Sequence, residues 1–261
     1  MYVKKTHSTN TLMRELIAIG EAPEFIYAGY QTAGRGQTGN GWESEEDKNL
    51  LCSILLPPET EEPFYLTVAV SVALHRVVSE QIWLTTLELD ADKPLTIKWP
   101  NDLYYGDKKL AGILLESVFS GNKMESAIAG IGLNVNQTEW HSDAPNPTSL
   151  KTICEAFTQE DETFDIHELM ETLNEELQMV LTEPREITWW QYKAHLYRGE
   201  QGPWPFVERA VDTTPTMNAP TDMPNQFRAC IKDVLPTGEI ILQDEQGKER
   251  KYHFKQIRYV I

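Results

Sequence analysis

Gln31-Thr-Ala-Gly34-Arg35-Gly36-Gln37-Thr-Gly39-Asn-Gly41-Trp42 is the stretch around which the rest of the chain is read. Four glycines fall within eight residues, with one arginine among them and one tryptophan at the end. Glycine tolerates positive φ and lets another group approach the backbone. A turn built this way can aim several N–H groups at one point, which suits an anion. Arg35, the one cation of the stretch, can fork onto a carboxylate or a phosphate. The spacing Gly34, Gly36, Gly39 also satisfies the dinucleotide fingerprint, which requires a strand before it and a helix after it. Residues 25–30 supply the strand, but Asn40-Gly-Trp-Glu-Ser-Glu-Glu-Asp-Lys48 has no amphipathic helical period. A Rossmann turn is therefore rejected. A plain surface loop would explain the glycines and leave Arg35 and Trp42 unexplained.

The 261 residues suit one large domain, or a large and a small one. At 41% hydrophobic, the chain can fill a sizeable core. It lacks the run of roughly 18 apolar residues that a membrane helix needs, and its first residues lack the apolar centre of a signal peptide. Three widely spaced cysteines, Cys52, Cys154 and Cys230, have no metal-binding spacing. Reduced thiols and a cytoplasmic location are expected. Forty acidic residues against 23 basic ones give a charge of −17, which disfavours a nucleic-acid partner and favours solubility.

Upstream, Ser8-Thr9-Asn10-Thr11 precede a helical pattern of Leu12, Leu16 and Ile19 that Gly20 closes. Ser8, Thr9 and Asn10 either cap that helix or turn two hydroxyls and an amide to a polar ligand. Downstream, residues 50–56 read as a buried strand, 64–82 as a helix with Leu66, Val70, Ala73, Leu74, Val77 and Val78 on its apolar face, and 95–99 as a strand stopped by Pro100. A hairpin follows: residues 104–109 turn back into 110–116, and a further strand covers 124–135. Within twelve residues stand Lys98, Trp99, Asn101, Asp102, Lys108 and Lys109. Asp102 and Lys109 can converge from opposite strands, either as an ordinary exposed pair or as charge placed for a phosphate. Gly112 within a strand suggests close approach of a ligand or another backbone. Helices are expected at 148–157 and, behind Asp165 and Glu168 as a capping box, from 166 to 180, with a continuation over 187–196. Residues 211–226 form a long polar loop. Four short strands then build a small all-β part. Its Lys248, Arg250, Lys251, Lys255 and Arg258 are either an exposed face or a docking surface for an acidic partner.

Four stretches now stand in order: Ser8-Thr-Asn10; Gln31-Thr-Ala-Gly-Arg-Gly36; Lys98-Trp-Pro-Asn-Asp102 with Lys109-Leu-Ala-Gly-Ile113; and Gly130-Ile-Gly-Leu-Asn134-Val-Asn136. Together they resemble biotin protein ligase, also called biotin–[acetyl-CoA-carboxylase] ligase, from about residue 5 to the end. The resemblance implies an α+β fold of the class II synthetase and biotin/lipoyl ligase type. Residues 1–198 would form a mixed sheet flanked by helices, and 199–261 a small C-terminal β-barrel. Only seven residues precede Ser8, so the DNA-binding winged helix that many members carry is expected to be absent. The implied chemistry is adenylation of biotin by ATP to biotinyl-5′-AMP, then transfer to a lysine of a biotin carboxyl carrier protein, with Mg2+ accompanying ATP through ligands not identified. A homodimer would be in keeping with the family. Lipoate–protein ligase and a biotin sensor that does not transfer are the alternatives.

By that resemblance, Arg35, Lys109 and Asp102 are the catalytic candidates. Biotin would be held by Ser8, Thr9, Asn10, Gln31, Arg35, Gly36, Gln37, Lys109 and Gly112. ATP or the adenylate would be held by Arg35, Trp42, Asn101, Asp102, Lys109 and Asn134. One position departs: many members have arginine where Gln37 stands. A neutral side chain there removes a charge near the phosphate, so retention of the adenylate is expected to be weaker than in the arginine form. Gln37→Arg should slow adenylate leakage, measured as its dissociation after rapid dilution. Equal leakage from both proteins would contradict that role.

Overall fold

A computed structural model describes residues 1–36, 41–87, 92–141, 146–199, 202–208 and 226–261. Gln37, Gly39 and nearly all of the 211–226 loop lie outside these residues. The main body is a seven-stranded mixed sheet in the order β1-β2-β3-β7-β6-β5-β4. Its strands are β1 (Tyr2–Thr6), β2 (Phe25–Gln31), β3 (Leu50–Leu56), β4 (Leu95–Lys98), β5 (Asp102–Tyr105), β6 (Lys108–Ser120) and β7 (Lys123–Leu133). β1 and β2 are parallel, and the other neighbours are antiparallel.

Helices cover both faces. α1 (Thr9–Ala18) lies over β2, β3 and β7. There it buries Met13 against Ile26 and Ile128, with Leu12, Leu16 and Leu55 beside them. The opposite face carries α2 (Tyr65–Thr86), α3 (Leu150–Thr158), α4 (Ile166–Thr182) and α5 (Arg185–Ala194). The large core there includes Leu50, Cys52, Ile54 and Leu56 of β3 with Leu74 and Val78 of α2. Alternate residues of β3 thus serve different faces, Cys52 and Ile54 one and Ser53 and Leu55 the other. Covering both faces is why residues 50–56 form a continuous apolar run.

Several expectations are refined. α2 runs to Thr86, past the expected end at 82, and the hydroxyls of Thr85 and Thr86 bond back to the carbonyls of Gln81 and Ile82. The helix expected to continue from α4 is a separate element. Glu183 is extended and Pro184 caps α5, because proline has no N–H to continue the ladder. Across that break Arg76 of α2 grips Glu176 and Glu183, each at 2.8 Å, and Gln191 at 2.9 Å.

The C-terminal part is a five-stranded antiparallel sheet in the order β11-β10-β9-β8-β12. Its strands are β8 (Trp204–Glu208), β9 (Gln226–Val234), β10 (Ile240–Asp244), β11 (Glu249–Tyr252) and β12 (Ile257–Tyr259). Phe206, Ala229, Ile240 and Leu242 join the large core of the main body. Residues 195–197 run beside β4, where Ile97 donates to the His195 carbonyl at 2.7 Å and Tyr197 donates to that of Ile97 at 2.8 Å. The Trp99 indole donates to the Gly238 carbonyl at 3.1 Å. The basic cluster of this sheet is partly neutralised, since Arg250 pairs with Asp244 and Glu208, and Lys251 with Glu239. No helix among the described residues is long and apolar enough to cross a membrane.

Candidate active site

The cavity opens on the α1 face of the sheet. It is lined by the start of α1, the glycine loop, the β5–β6 hairpin and the C-terminal end of β7. Ser8 occupies the N-cap position of α1 in extended conformation, and its hydroxyl makes no capping bond. Buried and facing the cavity, it is free to meet a ligand. Gln31 at the end of β2 turns its amide oxygen onto the start of α1, accepting from the Thr9 N–H at 2.8 Å and the Thr9 hydroxyl at 3.3 Å. Asn10 is fixed at both ends of its amide. Its Nδ2 donates to Glu116 Oε2 at 2.8 Å, and its Oδ1 accepts from Ser53 at 2.5 Å. Asn10 can lie flat on the sheet because β7 has glycine beneath it: a Cβ on Gly130 would stand 2.3 Å from its Oδ1.

The glycine loop folds back on itself, Arg35 bridging to Gly41 and the Trp42 N–H donating to the Gly34 carbonyl at 3.1 Å. This closure carries the Trp42 indole over the sheet where β6 and β7 pair Gly112 with Gly132. A Cβ on Gly132 would meet the indole at 2.4 Å, and one on Gly112 would meet it at 3.2 Å. Two facing glycines therefore make the recess that the ring occupies. The Trp42 Nε1 is buried and has no acceptor among the described residues. A buried donor without a partner is costly, so this N–H is available to a ligand oxygen.

Lys109 and Asp102 converge across the hairpin, Nζ to Oδ1 at 2.8 Å. The ammonium also lies 5.7 Å from the centre of the Trp42 ring. Asn101 is buried at the cavity wall and donates its amide to the Ile113 carbonyl. Two cations, Arg35 and Lys109, thus face a cavity whose lining holds one carboxylate, Asp102. With one cation in excess, such a lining favours an anion.

Of the residues singled out from the sequence, Ser8, Thr9, Asn10, Gln31, Arg35, Gly36, Trp42, Asn101, Asp102, Lys109 and Gly112 all line this one cavity. Asn134 does not. It is buried, with its amide donating to the Thr148 carbonyl at 2.9 Å, and it ties the end of β7 to the approach to α3. Glu116 and Ser53, partners of Asn10, were not anticipated. The available signal for Glu116 was a carboxylate in the otherwise apolar run of β6.

Lys98 sits just behind the hairpin. Its ammonium donates to the Tyr104 hydroxyl at 2.9 Å and lies 4.5 Å and 5.3 Å from the ring centres of Tyr104 and Tyr259. Burial pulls its pKa from 10.5 down to about 8; Asp102 opposes the shift, while Lys109 and Arg198 add to it. Between pH 8 and 10 the unfolded chain therefore holds more protons than the folded one, and stability rises with pH through that window. Burial raises the pKa of Tyr104 and of Tyr259, an opposing effect that sets in as the pH approaches 10 and that the natural protein and a Lys98 variant share. Relative to Lys98→Met, the natural protein is expected to gain roughly 1–3 kcal/mol between pH 7 and pH 10. Urea unfolding at intermediate pH values measures this. Parallel pH profiles would show that Lys98 titrates normally.

Among the described residues, no three His, Cys, Asp or Glu side chains converge into a metal site. A family model described as the biotin/lipoate A/B protein ligase family matches residues 2–134. The bifunctional ligase/repressor BirA of Bacillus subtilis is 35% identical over 158 residues, covering 58% of this chain and 44% of that protein. The biotin–[acetyl-CoA-carboxylase] ligase of Mycobacterium tuberculosis is 31% identical over 153 residues, covering 57% of this chain and 53% of that protein. The chain thus spans about half the length of the curated relatives it matches. Among solved structures, the biotin protein ligase from Aquifex aeolicus in complex with biotin and ATP superposes with a TM-score of 0.69 at 22% identity, covering 100% of this chain and 98% of that one. The biotin protein ligase from Leishmania major in complex with biotinyl-5-AMP gives 0.63 at 22% identity, covering 97% and 98%. At that identity the likeness speaks for the fold.

Proposed function

Because this chain belongs to the biotin/lipoate A/B protein ligase family, we propose that it activates biotin with ATP and transfers it to a lysine of a carrier protein. The reading is carried by one observation: Arg35, Lys109, Asp102 and the unpartnered Trp42 N–H surround a single cavity. In the first step a biotin carboxylate oxygen attacks the α-phosphorus of ATP, the bond to the β-phosphate oxygen breaks, and pyrophosphate leaves. Carboxylate and triphosphate repel one another, so the site must hold them together and offset charge as it develops. Arg35 would clamp the carboxylate and the α-phosphate, and Lys109 would neutralise the phosphate oxygens. Magnesium would arrive with the nucleotide as part of the substrate, its charge offsetting that of the phosphates.

Ser8, Thr9 and Gln31 would surround the polar ring of biotin, with Asn10 setting the floor. Trp42 would cover the mixed anhydride, its N–H reaching an oxygen and its ring keeping water from the reactive carbonyl. In the second step the carrier lysine attacks that carbonyl, the bond to the phosphate oxygen breaks, and AMP departs. Asp102, with Lys109 beside it, would take the proton lost by the attacking amine. The carrier would be the biotin-accepting domain of a biotin-dependent carboxylase, in keeping with the names of the relatives.

Mass spectrometry of a purified carrier domain, incubated with this protein, biotin and MgATP, tests both steps. Gain of one biotin mass that depends on ATP is the expected result. Pyrophosphate without mass gain would keep the first step and reject that acceptor. Neither product would overturn the reading.

A further inference from the structure

Glu116 stands on β6 beyond Gly112 and Leu114, on the α1 face of the sheet, opposite Ile128. It is not part of the cavity lining, yet its carboxylate gathers three side chains around the mouth. Oε2 accepts from Asn10 Nδ2 at 2.8 Å and from the Arg35 guanidinium at 3.4 Å, and Oε1 faces Arg14 at 3.3 Å. Among the described residues, the other polar partner of the Arg35 side chain is the Thr11 hydroxyl at 3.3 Å, also outside the lining. The guanidinium that lines the cavity is therefore engaged by a carboxylate at its rim, at a distance longer than a well-formed charge-assisted bond.

We infer that Glu116 is a displaceable counter-anion for Arg35: an incoming carboxylate must draw the guanidinium away from it. This inference rests on the functional reading above and adds to it a residue that sets how strongly the ligand's charge counts. Two effects of Glu116 have the same sign. It competes for Arg35, and its own charge repels an anion in the cavity. Only the first depends on Arg35, so the two can be separated. Asn10 does not depend on the charge, because a glutamine carbonyl oxygen can accept from its Nδ2 equally well.

The test is calorimetric titration of the whole protein with biotin and with its neutral alcohol analogue, which lacks the carboxylate. Glu116→Gln is expected to tighten biotin roughly two- to fivefold, the range of a partly exposed ion pair, and to leave the alcohol unchanged. In an Arg35→Ala background only the repulsion remains, so the same substitution should tighten biotin by clearly less than in the natural protein and leave the alcohol unchanged. Arg14→Ala, on the exposed side of α1, frees the carboxylate to hold Arg35 more firmly. It should weaken biotin about twofold and spare the alcohol, which gives a second reading if Glu116→Gln folds poorly. Equal changes for the two ligands, or the same change with and without Arg35, would overturn the inference. If the natural protein bound neither ligand, the functional reading itself would fall, and this inference with it.

Discussion

Lys109→Ala is expected to slow biotin-dependent release of pyrophosphate by a factor of about a hundred to a thousand, the effect of removing one preorganised donor at developing charge. Biotin affinity should change by much less. The side chain is held by the Asp102 carboxylate at 2.8 Å and lies against the Trp42 ring, so its position is set before ligand arrives. Alanine removes the cation and leaves Asp102 facing a phosphate with its charge uncompensated, and both effects oppose the first step. Single-turnover assays with saturating MgATP measure the chemical step, and calorimetry measures biotin binding separately. A rate within tenfold of the natural protein would remove Lys109 from the chemistry.

The second large effect is expected at a position with no side chain. Gly132→Ala would place a methyl group 2.4, 2.7 and 2.8 Å from three carbons of the Trp42 indole. A rigid bicyclic ring cannot bend around it and has to rotate out of its recess. Trp42 also closes the glycine loop through its bond to Gly34, so the loop is disturbed as well. Affinity for ATP in the presence of biotin should fall about ten- to a hundredfold, in the range of losing a well-packed aromatic contact. Gly132 lies in regular pairing on β7 with Gly112 and Leu51 and lacks the positive φ found at Gly20, Gly106 or Gly238, so the strand itself accepts alanine. The decisive comparison is the double variant Gly132→Ala/Trp42→Ala. It should bind no worse than Trp42→Ala alone, whereas additive losses would mean that the methyl group acts elsewhere.

Legibility in the sequence followed the range of the interactions. Residues 50–56 and the α2 segment carry strong local patterns, and both were readable. Asp102 and Lys109 were readable as a pair because a short hairpin leaves the intervening chain few ways to run. β1 was not readable: it is a five-residue edge strand with Lys4 and Lys5 exposed, and its pairing with β2 is decided by residues more than twenty positions away. β8 was hidden by Pro205, which removes a ladder donor; β8 nevertheless pairs on both sides, and the Pro205 carbonyl accepts from Val260. Ser8 was ambiguous between cap and ligand contact, and the structure shows that its hydroxyl makes no capping bond. Glu116 stood out locally only as a carboxylate in an apolar run; its role comes from three partners, the nearest of them 81 positions away in the chain.

The sheet also divides the labour of the molecule. On one side lies the mass of aliphatic packing that sets the free energy of unfolding. On the other, beneath α1, the buried apolar cluster is small: Met13, Ile26 and Ile128. The cavity-lining groups stand on this lightly packed side, over glycines and polar side chains that bury little hydrocarbon. Their replacement therefore subtracts little from the hydrophobic contribution to stability, which scales with the apolar area buried. A descendant sequence could exchange the shape or charge of its ligand by rewriting the thin side while the thick side keeps the chain folded. Recognition in this architecture is in that sense free to drift on a scaffold that is not.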